Sequence, residues 1–188
     1  MNKLPTKLTK TSFTLNQATK LGLSRYALNK LIDAGIVELV VRGVYRAAQS
    51  DISEEDQFRI ATLRVGTPSA ICLVSALSYY NLTDTISRKT WIMVPVSKRT
   101  KHTELRLLRT RNPCWNIGIE KHDAYSITTI ERTIVDTLCA RSKLGSQIGI
   151  EALRKAIQSK KTTLGKIMDM SVKLGISHRV QPYIEALA

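Results

Sequence analysis

The sequence predicts an α+β protein in two parts: a small N-terminal unit of two short helices and a hairpin, then a mixed α/β domain with a helical C-terminal tail. Three observations carry this reading. Residues 14–46 run helix, turn, helix and two β-branched segments; an acidic, serine-led stretch, "SDISEED", interrupts the pattern; and beyond it apolar strands and helical periods alternate until three helical patterns close the chain. A chain of 188 residues can hold one well-cored domain or two small ones, and a boundary at residue 50 gives domains 1–50 and 51–188.

Thr14 with Gln17 three positions on has the form of a capping box, which starts a helix at Leu15; Leu15, Ala18 and Leu21 share its apolar side, and Gly22 ends it. Ser24 is the expected N-cap of a second helix running to Ala34 and closed by Gly35, with Leu28, Leu31 and Ile32 as its apolar stripe. "IVELVV", "RG" and "VYRAA" then read as strand, two-residue turn and strand, Gly43 supplying the positive φ the turn needs. Helix, turn, helix and hairpin in that order predict a winged helix-turn-helix.

The charge suggests what such a unit would meet. The whole chain carries 29 Lys and Arg against 15 Asp and Glu, a net +14, and residues 1–50 alone hold eight cations against Asp33 and Glu38. A field of that sign attracts polyanions, so double-stranded DNA is the expected partner. The second helix turns Arg25, Tyr26, Asn29 and Lys30 to solvent, side chains suited to base edges and phosphates. With Lys20, Ser24, Arg42 at the hairpin tip and Arg46 on the outgoing strand, these are the expected DNA-binding residues. A purely structural or protein-binding module is the other reading of such a unit.

In the second part, Ser53 is a candidate N-cap for a helix through about Val65, whose Glu54, Glu55 and Asp56 suit the positive helix end. Pro68 and Ser69 then open an almost uncharged helix, "SAICLVSALSYYNL", expected to be buried. "RKTWIMVPV" and "ELRLLRTR" read as two strands of a hairpin-like region around a basic loop. Arg88, Lys89, Lys98, Arg99, Lys101, Arg106, Arg109 and Arg111 fall within residues 88–111, with Glu104 the one acid among them. They form either a solvated strand face or a second polyanion-binding surface, for DNA flanks or RNA. From Ala124 a strand end runs into a helix capped by Thr128 or Thr129. Ile130, Ile134, Val135 and Leu138 point inward, and Glu131, Arg132 and Asp136 lie near its outer side. Helices over about 146–158, 162–174 and 177–187 finish the chain.

Several classes of chemistry find no support. Cys72, Cys114 and Cys139 are odd in number and far apart, which argues against a disulfide framework, and Cys72 and Cys139 sit in apolar helical patterns as core residues. His102, His122 and His178 share no ligand spacing, so no metal site is expected. None of the 15 acids is followed two positions later by Lys, as the common metal-dependent nuclease core requires. No phosphate loop or nucleophile elbow occurs either, so no catalytic residue and no cofactor are expected. Glu131 and Asp136 are read as capping, pairing with Arg132 or supporting the fold. The basic start lacks the apolar core of a secretory signal, and the longest mainly apolar stretch is too short to span a bilayer, so a cytoplasmic location and no membrane partner are expected.

"TIERTIVDTL" resembles the S-I-E-R-T-L-V-D signature of AbiEi-type antitoxins, "LVSALSYYNL" looks like the buried helix that precedes it in that family, and "RGVYR" is similar to the family's wing. The resemblance spans about residues 13–140. It implies a bacterial toxin–antitoxin or abortive-infection protein that represses its own operon through repeated promoter sites. It also implies neutralisation of a nucleotidyltransferase-like toxin, type IV in character and so without a stable complex. An ordinary winged helix-turn-helix regulator with no antitoxin activity is the alternative. Such domains generally carry a helix ahead of the helix-turn-helix pair; only thirteen residues, Pro5 among them, are available for it here.

Overall fold

Phe13 and Thr14 form a short strand, β1, and Thr14 turns the chain into helix α1 over Leu15–Lys20. The capping box is complete: the Gln17 backbone N–H donates to Thr14 Oγ1 at 3.3 Å, and the Thr14 N–H donates to Gln17 Oε1 at 2.8 Å. Ser24 accepts from the Ala27 N–H at 3.2 Å and starts α2, Arg25–Asp33. Strands β2 (Val37–Val41) and β3 (Val44–Ala47) meet through Arg42 and Gly43, the latter at φ +82°. β1 pairs with β3, giving a three-stranded antiparallel sheet in the order β1–β3–β2. The computed structural model describes residues 3–50 and 53–186, apart from the Glu54 side chain. Asp51 and Ile52 of the acidic stretch, and Leu187 at the expected end of the last helix, lie outside the described residues.

Among the described residues ahead of β1, Thr6–Leu8 forms a 3-10 turn. Leu4 and Leu8 from that region join Phe13, Ala18, Leu23, Leu28 and Leu31 in one apolar cluster. Helix α3, Glu54–Val65, capped by Ser53, packs on β1 and β3 and buries Phe58, Ala61 and Val65. The boundary expected after residue 50 is therefore corrected: the compact units are 1–66 and 67–188, because α3 packs on the strands of the first.

The second unit is built on a five-stranded sheet in the order β6–β5–β4–β8–β7, with β4 Ala70–Ile71, β5 Trp91–Pro95, β6 Arg106–Thr110, β7 Ile119–Lys121 and β8 Ser126–Thr128. Two expectations fail here. The uncharged stretch from Ser69 is a short strand before it is a helix, and α4 covers only Leu73–Tyr79. The "hairpin-like" pair β5 and β6 runs parallel, Trp91 opposite Arg106, so residues 96–105 form a crossover and not a turn.

Thr129 caps α5, Ile130–Cys139, by accepting from the Arg132 N–H at 3.3 Å. After the single turn α6, Arg141–Leu144, helices α7 (Gln147–Gln158), α8 (Leu164–Lys173) and α9 (Ser177–Glu185) follow. α5 is central: it packs against α4, α7, α8 and α9. Ile134, Val135 and Leu138 are buried with Leu77, Leu153, Ile167 and Val180. Arg132 was expected near the outer side of α5 and is instead 2% exposed. Its Nε donates to Asp136 at 2.7 Å, and its Nη1 donates to the carbonyls of Ile117 and Trp115 at 2.6 and 3.2 Å. A guanidinium so deep is tolerable because Nε and Nη1 find oxygen acceptors and a carboxylate stands beside it. Burial pushes the Asp136 carboxyl above the ordinary carboxylate value, and the Arg132 charge only partly offsets this.

Candidate nucleic-acid interface

The spacing of Ala27, Leu28 and Leu31 buries one side of α2 in the cluster of the first unit. The opposite side is thereby held outward: Arg25, Tyr26, Asn29 and Lys30 are all exposed, Tyr26 at 69%. Lys30 Nζ lies 4.8 Å from the centre of the Tyr26 ring, so a cation and an aromatic face are presented together at the middle of the helix. Ser24 is exposed at the N-cap; its oxygen accepts from Ala27, which leaves the hydroxyl proton available to a phosphate. Lys20, in the last turn of α1, is exposed as well.

The hairpin separates its two arginines. Arg42, in the turn, is exposed. Arg46, expected to reach DNA, is corrected to a structural residue: it is 8% exposed and sits directly across from Glu38 in the β2–β3 register. Its Nε and Nη2 both donate to Glu38 Oε1, and its Nη1 faces Asp56 Oδ2 at 3.8 Å. Asp56 in turn accepts from the Ser12 N–H at 3.1 Å and the Ser12 hydroxyl at 2.9 Å. With Arg46 neutralised inside, every other Lys and Arg of residues 3–50 is exposed: Lys3, Lys7, Lys10, Lys20, Arg25, Lys30 and Arg42. Lys3, Lys7 and Lys10 are not among the contacts expected from the sequence, where their shared sign is the only signal they give.

In the second unit the expected basic surface does not stay on one face. Strand alternation sends Arg106 and Arg109 to opposite sides of β6. Arg106 lies over the Trp91 ring at 6.0 Å, whereas Arg109 bends back to donate to the carbonyls of Lys98 (2.6 Å) and Thr100. Lys89 donates to the Thr103 carbonyl and Lys98 to that of Pro68 at 3.4 Å, so both hold the crossover loop to its surroundings. Arg88, Arg99, Lys101 and Arg111 are exposed.

Among the described residues no cluster of His, Cys, Asp or Glu could hold a metal ion, and no helix is long and apolar enough to cross a membrane. Burial raises the thiols of Cys72 and Cys139, which keeps both protonated at neutral pH and poor as nucleophiles.

Comparison with known proteins adds a family to this geometry. Residues 10–48, from just before β1 to the end of β3, match the model of a family described as transcriptional regulator, AbiEi antitoxin. No curated protein matches the chain. Among solved structures, the crystal structure of the RV2827C protein from Mycobacterium tuberculosis is similar with a TM-score of 0.48 and 15% identity, over 94% of this chain and 76% of that one.

Proposed function

We propose, from the premise that residues 10–48 match the AbiEi antitoxin family of transcriptional regulators, that the first unit is a winged helix-turn-helix reading double-stranded DNA at the protein's own promoter. In this reading α2 enters the major groove with Arg25 and Asn29 at base edges, while Ser24, Tyr26, Lys30 and Lys20 hold phosphates. Arg42 at the hairpin tip meets a flanking phosphate or the minor groove. The protein is a binder rather than an enzyme, acting as autorepressor and as antitoxin against a nucleotidyltransferase-like toxin in the cytoplasm. What supports the DNA-reading part most is the outward polar face of α2, fixed from behind by Ala27, Leu28 and Leu31. The narrower alternative, a regulator without antitoxin activity, needs nothing beyond residues 10–48, the stretch that the family match covers.

Operator binding by the full chain tests the assignment of roles. Arg25→Ala should cost roughly 1–3 kcal/mol on the operator and relax specificity at one base pair. Lys30→Ala should weaken operator and unrelated duplex alike and flatten the salt dependence by about one phosphate, near 0.9 in the log–log slope. If the two substitutions weaken all duplexes equally, α2 contacts the backbone alone and the base-reading role is lost.

A further inference from the structure

A concave cleft of about 410 Å³ opens in the second unit beside Arg132, between the end of β6 and the turn that joins α5 to α6. Its volume lies within the range of about 300–1,000 Å³ typical of small-molecule sites. Five cationic side chains line it, Arg109, Arg111, Arg132, Lys143 and Arg179, against the single carboxylate of Asp136. That carboxylate is already engaged by Arg132 Nε, so its charge is largely answered from within.

Two features make this more than a patch of surface charge. The first is at the floor. Arg132 is 2% exposed, and while its Nε and Nη1 have oxygen acceptors, its Nη2 has only the thioether of Met93, at 3.7 Å. Sulfur is a weak acceptor, so a buried guanidinium nitrogen on the cleft wall is left with donor capacity that an anionic oxygen would satisfy far better. The second is at the rim. Among the described residues neither Arg111 nor Lys143 is ion-paired, and Arg179 spends one nitrogen on the Cys139 carbonyl at 2.8 Å while its remaining donors stay exposed. Met93, Leu108 and Ile176 add an apolar wall on which a flat ring could rest.

We infer that this cleft binds the phosphate group of a small phosphorylated ligand of nucleotide size, with Arg111, Lys143 and Arg179 gripping the phosphate and Arg132 completing the site from below. A duplex presents its phosphates in evenly spaced rows along a cylinder, whereas here the cations line a single cleft. How the first unit meets DNA has no bearing on this site.

The test is calorimetric titration of the full chain with inorganic pyrophosphate and with ATP, and with a blunt dephosphorylated duplex as the comparison. The double substitution R111A/K143A removes two exposed rim cations, so the fold should survive, which thermal melting checks. The charge-matched control R88A/K101A removes two exposed cations elsewhere in the same unit. Binding of pyrophosphate and ATP should fall by about tenfold or more in R111A/K143A and stay within about twofold in the control, with duplex affinity nearly unchanged in both. Equal losses in the two double variants would reduce the effect to diffuse charge and overturn the site. So would absence of any pyrophosphate or ATP binding to the unaltered chain, or a loss of duplex affinity in R111A/K143A as large as the loss of ATP affinity.

Discussion

Two arginines four positions apart on one hairpin do different work, and the difference follows from where each side chain ends. Arg42 sits in the turn with water around it, whereas Arg46 is enclosed by Glu38 and Asp56. Removing Arg46 leaves Asp56 buried with its Ser12 hydrogen bonds but without the guanidinium that faces it. Arg46→Ala should therefore lower stability by about 1–3 kcal/mol, the cost of an uncompensated buried polar group. Arg42→Ala should leave stability within about 0.5 kcal/mol, as exposed substitutions do, while weakening DNA binding. Urea denaturation of both variants, set beside their duplex affinities, separates the roles. An Arg46→Ala protein as stable as the parent but defective in DNA binding would reverse the assignment. The sequence could not distinguish these arginines, since a cation on a strand reads as solvated until its cross-strand neighbour is known. Arg132 is a second case of the same kind. Its partners, the carbonyls of Trp115 and Ile117, come from a loop whose approach to α5 no local pattern announces.

At the scale of elements, hydrogen-bonding chemistry confined to a few neighbouring residues was legible. The Thr14–Gln17 box, the caps at Ser24, Ser53 and Thr129, and the apolar stripes of α2 and α5 were all readable because each is decided within one or two turns of chain. Strand direction was not. Whether β5 and β6 pair parallel or antiparallel depends on where the crossover of residues 96–105 deposits the chain, and β4 is only two residues long, too short for any periodicity. Helix packing was equally hidden, and Gly149 shows why. It lies in α7 where that helix crosses α5, and a Cβ there would stand 3.0–3.2 Å from Cδ2, N and Cα of Leu138. Two of those atoms are backbone and cannot rotate aside, so Gly149→Ala must push the helices apart. The expected cost is about 1–3 kcal/mol, typical of an overpacked core, against the gain of up to about 1 kcal/mol that alanine brings to an unconstrained helix. Thermal unfolding decides the sign. A rise in melting temperature would mean that the α5–α7 approach yields freely and that this glycine is not what sets it.

For the molecule as a whole, the question is which stretches of chain stand alone. The sequence placed the division at the serine-led acidic stretch and so assigned α3 to the second part. The structure assigns it to the first, since α3 packs on β1 and β3 and Asp56 reaches both Ser12 and Arg46. A unit of 50 residues is near the lower limit at which a single core holds without help, and without α3 it also loses the helix that packs on β1 and β3. A fragment 1–66 should accordingly show cooperative unfolding by circular dichroism and retain duplex binding, while 1–50 should show no cooperative transition and bind only weakly. On the proposed division of labour, residues 67–188 expressed beside the toxin should still protect cells, because neutralisation in that reading needs no DNA contact. A folded 1–50 fragment would make α3 dispensable to the first core. A folded 67–188 fragment that fails to protect would leave the regulator reading standing and remove the antitoxin one.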